Sequence, residues 1–260
     1  QVRQSPPLFM VIVRKPPRVL LGSGGIATEE RRSLFRTLVS EHFSDCSEVV
    51  FVPFASTDHS ECTSIMQKFF GKDGPRLVGL HDSREPASTI SKADAIYVGG
   101  GNSFLLIKEL HERELIGSLR KKALSGAPYL GVSAGANIAC PTMMTTNDMP
   151  IVQPQSFNSL DIVPFQINPH YYPGKIRFMD GDSIEEHFGE TRNQRIEEFH
   201  RHYETPVLGM WEGSFISWDG MRCRLFGRAT SFLPGEEPRE IEDGEEFNGN
   251  LEKISSKSLK

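Results

Sequence analysis

The chain lacks the marks of several protein classes at once. Its 260 residues hold four cysteines (Cys46, Cys62, Cys140 and Cys223), scattered, with no Cys-x-x-Cys pair and no Cys/His cluster. That leaves neither a disulfide frame nor a metal site to argue for, and it points to a reduced, cytoplasmic chain. There is no basic run, and the net charge is −5, which argues against a nucleic-acid or anionic-membrane surface. No apolar stretch approaches the roughly 20 residues that cross a bilayer. Leu8–Val13 is apolar but short and runs into Lys15-Pro16-Pro17, so no signal peptide is expected. No internal repeat is visible.

What is present suits one α/β domain of good size or two small ones, with 38% hydrophobic and 24% charged positions. Residues 1–17 carry prolines in two clusters and read as an irregular leader. Buried strands are expected at Arg18–Gly22, Glu48–Phe54, Leu77–Leu80 and Ala93–Gly99, with helices near 28–42, 61–70, 103–112 and 114–125. The Val- and Phe-rich runs do not alternate, so both faces of these strands should be covered. The rhythm gives an α/β fold with a mostly parallel sheet flanked by helices. After Pro141 the pattern changes: a strand at Asp161–Asn168, an acidic loop, a helix over 190–203, then three short strands with Asp219-Gly220 as a hairpin turn. The expected organisation is a single catalytic domain over 18–235 and a loosely ordered acidic, then lysine-rich tail over 236–260.

The chemistry gathers at Tyr129-Leu130-Gly131-Val132-Ser133-Ala134-Gly135-Ala136-Asn137. It reads strand, sharp turn, helix, and Gly-x-Ser-x-Gly at that junction is the pattern of a nucleophile elbow. The helix should run from Ala134 to Cys140, where Pro141 stops it. A serine hydroxyl needs a base, and the base an orienting acid. Among the eight histidines, His42, His111, His200 and His202 sit among charges and read as helix-surface residues. His170 lies past a strand end between Pro169 and two tyrosines, the place for a base. Glu212, between Trp211 and Gly213 at another strand end, suits the orienting acid. The order Ser, His, Glu departs from the Ser, Asp/Glu, His of α/β-hydrolases.

Gly99-Gly100-Gly101 closes a strand before a helix. The N–H groups of Gly101 and Ala134 could form a two-donor oxyanion hole, although a tight turn alone would also call for glycine. Arg192 falls on the helix line Arg192, Ile196, Phe199, Tyr203. An arginine on an apolar face needs an acid, which is either a structural partner such as Glu190 or a substrate carboxylate gripped bidentately. One rival pattern exists. Gly22-Ser23-Gly24-Gly25-Ile26-Ala27 fits the dinucleotide form Gly-x-Gly-x-x-Gly/Ala, but the acid expected after the second strand is replaced by Phe54-Ala55-Ser56.

With these residues in hand, the chain resembles the S51 serine peptidases, the α-aspartyl dipeptidases. The matching pieces are Val98–Asn102, Gly131–Asn137, Cys140–Thr142 with Thr145–Val152, Gln166–His170, Gly189–Arg192 with Arg195-Ile196, and Gly209–Gly213. The resemblance runs from about Arg18 to residue 235. It implies a flavodoxin-like sheet of the class I glutamine amidotransferase type, no cofactor, and a small peptide substrate with an N-terminal aspartate, with homodimer formation left open. It also implies Ser133 as nucleophile, His170 as base, Glu212 as acid, Gly101 and Ala134 as oxyanion donors, and Arg192, Asn102 and Asn147 as substrate-binding residues. Val132 and Trp211 stand where bacterial members often carry tryptophan and proline, and the longer acidic loop before Gly189 is placed to act as a lid. The competing readings are a hydrolase of β-aspartyl-arginine, like cyanophycinase, and a non-catalytic binding or nucleotide-binding protein.

Overall fold

The structure, a computed structural model, describes residues 15–71 and 74–254. Residues 1–14 of the expected leader and 255–260 of the expected tail lie outside them. Five short apolar runs form the parallel heart of the main sheet: β1 (Arg18–Gly22), β2 (Glu48–Val52), β3 (Arg76–Gly79), β4 (Ala95–Val98) and β5 (Pro128–Val132). They stand in the order β1-β5-β4-β2-β3, every neighbouring pair parallel. The strand period of two divides their side chains between two cores. Leu20, Val49, Phe51, Tyr97 and Leu130 enter one layer, whereas Val19, Leu21, Val50, Val52, Ile96, Val98 and Tyr129 enter the other. The first layer is closed by α1 (Glu29–His42) and α2 (His59–Phe70), which contribute Phe35, Leu38, Val39 and Phe69. On the opposite layer lie α3 (Pro86–Lys92), α4 (Ser103–Glu112) and α5 (Ile116–Leu124) with Ile90, Leu106, Ile107, Leu110 and Leu119. Burial on both faces is why the runs are continuous rather than alternating.

The helix starts are set by short polar caps. Thr28 accepts from the Arg31 N–H and Asp58 from Glu61, and both first turns carry glutamate at the positive end of the dipole. The helix α3, begun by Pro86 at its first position, was not expected from the sequence.

Beyond β1 the sheet continues antiparallel through β10 (Phe215–Trp218), β11 (Arg222–Phe226) and β14 (Glu246–Asn248). A second, four-stranded sheet packs beside it in the order β13-β12-β9-β6, with β6 (Gln166–Tyr171), β9 (Val207–Trp211), β12 (Ala229–Phe232) and β13 (Arg239–Ile241). Strands β6 and β9 are parallel, so their C-terminal ends reach the same edge. This second sheet was not foreseen, and β6 begins later than the expected Asp161 start. The backbone of residues 159–163 is instead bonded to Pro141 and to the carbonyls of Ile138, Ala139 and Cys140.

Residues 236–254 are not the expected loose tail. β14 pairs with β11 and β13 with β12, and Ile241, Phe247 and Leu251 are buried. Average composition hid this because three well-spaced apolar side chains suffice to anchor the segment. Its charges also answer one another: the Glu245 carboxylate accepts from the Glu242 N–H and meets Lys253 at 2.8 Å, which holds its pKa below the usual range. Among the described residues no helix is long and apolar enough to cross a membrane.

Candidate active site

The turn after β5 places Ser133 at φ +54°, ψ −111°, a strained backbone for a residue with a β-carbon. Its neighbours make the turn possible by lacking side chains. A β-carbon on Gly131 would lie 2.4 Å from the Gly135 carbonyl oxygen, and one on Gly135 would lie 2.1 Å from that of Val98. The Ser133 N–H donates to the Gly22 carbonyl at 2.8 Å, locking the turn to the end of β1. The following helix, α6 (Ala134–Asn137), is shorter than the expected Ala134–Cys140. Residues 160–163 claim the carbonyls of Ile138, Ala139 and Cys140, and the chain turns away.

The imidazole reaches the serine because β6 is irregular where it matters. Asn168 faces Gly209, but Tyr171 faces Trp211, so one extra residue bulges out of the ladder and His170 takes φ +54°. A bulge of this kind re-aims a side chain. His170 Nε2 lies 2.7 Å from Ser133 Oγ, and Nδ1 lies 2.7 Å from Glu212 Oε1. Glu212 sits directly after β9, on the edge shared with β6. The imidazole and the carboxylate are 38% and 41% exposed, so the relay opens to solvent and to a ligand.

The glycine-rich loop after β1 forms the wall behind this relay. Gly24 (φ +98°) stands against the His170 ring, with its missing β-carbon 3.0 Å from Cε1, and Gly25 (φ +74°) against Glu212, 1.7 Å from Oε2. A carboxylate already occupies the hollow that the dinucleotide pattern would reserve for a pyrophosphate. The rival pattern is therefore used within the protein.

Gly100 and Gly101 close in from the β4 side. Gly100 lies against Ser133, its missing β-carbon 3.2 Å from the serine Cβ. Gly101 (φ +138°) packs on the Ala55 carbonyl, where a β-carbon would come within 2.2 Å. Among the described residues neither the Gly101 nor the Ala134 N–H is donated to another protein group. Asn102 caps α4, accepting from the Leu105 N–H at 3.0 Å and donating to the Met149 carbonyl at 2.9 Å. Asn147 donates to the Pro169 carbonyl at 2.7 Å and accepts from Asn168 at 2.9 Å. Both side chains expected to touch substrate thus also make bonds inside the protein, bracing the triple-glycine turn and the residue before His170.

Arg192 opens α7 (Arg192–His200), whose start is fixed by a capping box between Thr191 and Gln194. Its guanidinium stacks 5.3 Å from the Tyr172 ring centroid, and burial pulls its pKa down. Glu190, the obvious structural partner, is engaged by Arg195 at 3.5 Å. Arg192 Nε is buried with no hydrogen-bond partner among the described residues. Among the described residues no carboxylate lies within ion-pairing distance of this guanidinium, and Asp148 acts on it only at longer range.

Three further residues here carried no signal of their own in the sequence. Asp148 accepts from the Ser103 N–H at 2.7 Å, tightening the start of α4. Tyr171 donates to Asn193 at 2.8 Å, tying the strand of His170 to the helix of Arg192. Ser23 bonds to His170 itself. The acidic loop before Gly189 forms an exposed hairpin, β7 (Arg177–Asp180) with β8 (Ser183–Glu186), in which Glu186 pairs with Lys175 and Arg177. His42 departs from its surface reading: Nε2 meets the Tyr129 carbonyl at 3.1 Å, and burial lowers its pKa to about 4. A cavity of about 870 Å³ between α1 and α2 is lined by residues of that layer and includes none of the relay.

Comparison with known proteins bears on this geometry. The profile described as Peptidase family S51 matches residues 19–226. A Streptomyces coelicolor protein named Peptidase E is 41% identical over 208 residues, covering 79% of this chain and 83% of that protein. A Drosophila melanogaster protein named Probable alpha-aspartyl dipeptidase is 41% identical over 180 residues, covering 69% and 72%. Among solved structures, a peptidase from an acI-B1 Actinobacterium superposes with a TM-score of 0.63 at 14% identity, covering 90% of this chain and 98% of that one. At that identity the likeness speaks for the fold alone.

Proposed function

The chain belongs to peptidase family S51, and we propose that it is a serine dipeptidase that releases N-terminal aspartate from Asp-Xaa dipeptides through an acyl-enzyme. One observation carries the reading: the unbroken relay from Ser133 Oγ to His170 Nε2 and from His170 Nδ1 to Glu212, 2.7 Å at each step.

In this reading His170 takes the Ser133 proton as Oγ attacks the scissile carbonyl. The N–H groups of Gly101 and Ala134 hold the oxyanion, and Glu212 orients the ring and stabilises the imidazolium. His170 then protonates the leaving amine, and on the return step it activates water to free the aspartate. Arg192 grips the substrate's side-chain carboxylate with two parallel N–H bonds. The relatives' names, Peptidase E and Probable alpha-aspartyl dipeptidase, support the aspartyl specificity. The four free cysteines agree with a cytoplasmic setting.

The test is hydrolysis of Asp-Leu beside Glu-Leu and Ala-Leu by wild type and Ser133→Ala. Cleavage of Asp-Leu alone, abolished in the variant, is the expected result. Cleavage of all three by wild type would refute the carboxylate pocket, and activity retained in Ser133→Ala would refute the serine mechanism.

A further inference from the structure

Ser23 is a fully buried serine in the loop after β1. Its hydroxyl accepts from the His170 N–H at 2.8 Å and donates to the Met210 carbonyl at 3.0 Å. Its neighbours make parallel contacts. The Gly22 carbonyl accepts from the Ser133 N–H at 2.8 Å, and the Gly24 carbonyl accepts from the Gly213 N–H at 2.7 Å. Three successive residues therefore hold the backbone at, or next to, Ser133, His170 and Glu212. Two of these latches are main-chain atoms; Ser23 alone works through a side chain.

We propose that Ser23 is a positioning residue of the catalytic relay, fixing the bulge that presents His170 and the strand end that presents Glu212. This inference rests on the serine-peptidase reading above. The bulge in β6 takes the His170 N–H out of the β6–β9 ladder, and a buried N–H without an acceptor is costly. The Ser23 hydroxyl supplies that acceptor. His170 also holds a left-handed backbone, φ +54°, which a residue with a β-carbon keeps only when its surroundings impose it. By reaching the Met210 carbonyl with the same oxygen, Ser23 ties the histidine to the strand that carries Glu212 two residues later. An ordinary buried serine would satisfy its hydroxyl without setting the position of a catalytic ring, and the experiment separates the two roles.

The readouts are the steady-state constants for Asp-Leu and the downfield proton resonance of the His170 Nδ1–H···Glu212 bond, assigned by its loss in Glu212→Gln. In Ser23→Ala, kcat should fall by about ten- to a hundredfold with KM within about threefold, since misplacement by an ångström can cost about a hundredfold. The Nδ1–H resonance should broaden or move upfield. Ser23→Cys, which keeps the shape but weakens both bonds, should behave likewise and serves if the alanine variant does not fold. Ser23→Ala or Ser23→Cys with wild-type kcat and an unchanged resonance would overturn the proposal. If wild type cleaves no aspartyl dipeptide, the reading of the function fails, while the resonance still decides whether Ser23 sets the imidazole.

Discussion

Gly25→Ala is the sharpest single perturbation of the relay that leaves its three residues unsubstituted. Gly25 has φ +74°, and an added β-carbon would lie 1.7 Å from Glu212 Oε2 and 2.7 Å from the carboxyl carbon. Relieving that overlap requires the carboxylate to retreat by roughly 1.5 Å to reach normal contact. That is far enough to break the 2.7 Å bond to His170 Nδ1. Loss of the orienting acid in a serine triad costs about 10⁴ in kcat, so a displaced acid should cost about 10² to 10³, or roughly 3–4 kcal/mol of barrier. KM should change little, because no group proposed to grip the substrate moves. The backbone strain of alanine at positive φ adds about 1–2 kcal/mol of destabilisation. Gly244→Ala isolates that second effect: Gly244 has φ +78° and nothing within 4 Å of its would-be β-carbon. Both variants should therefore melt a few degrees early, and only Gly25→Ala should lose turnover on Asp-Leu. Turnover by Gly25→Ala within about threefold of Gly244→Ala would refute the claim that this loop sets the carboxylate.

Arg192→Ala should lower kcat/KM for Asp-Leu by about a hundredfold, the value of two charge-assisted bonds, while Ala-Leu changes by less than about threefold; equal losses would dismiss the fork. His42 is neutral in the folded protein because burial lowers its pKa from 6.5 to about 4, against the Tyr129 carbonyl bond that raises it. The unfolded chain takes up that proton first, so the stability this group provides is complete above about pH 6.5. It is lost as pH falls toward about 4, by up to roughly 3 kcal/mol. Urea unfolding of wild type and His42→Gln at about pH 7 and about pH 4 should show the acid loss shrinking in the variant; an identical loss in both would count against it. Phe247, fully buried in β14, should cost about 3–5 kcal/mol when replaced by alanine, read as a melting temperature lower by about 10 °C. An unchanged melting temperature would restore the picture of a loose tail.

How much of this was legible in the chain follows from which signals are local. The parallel strands could be read because burial on both faces writes itself as an unbroken apolar run, as in Val49-Val50-Phe51-Val52. The elbow could be read because a strained serine between a strand and a helix requires glycines on both sides. β13 and β14 were missed because their few buried residues lie among charges that pair with each other, so window averages look solvated. The family resemblance implies Asn102 and Asn147 as substrate-binding residues, and no local signal tells that their amides also bond Met149, Pro169 and Asn168. The loop Gly22–Ala27 is the most instructive case. Glycines at positive φ record that something must approach the backbone more closely than a β-carbon allows, and they do not record what it is. A pyrophosphate and a carboxylate make nearly the same demand, since both are anions pressed against bare main chain. Here the group is Glu212, brought from 187 positions away and held against the loop by the Gly24–Gly213 and Ser23–Met210 hydrogen bonds. The motif was thus correct about the crowding at this loop and silent about its occupant, which only the topology supplies.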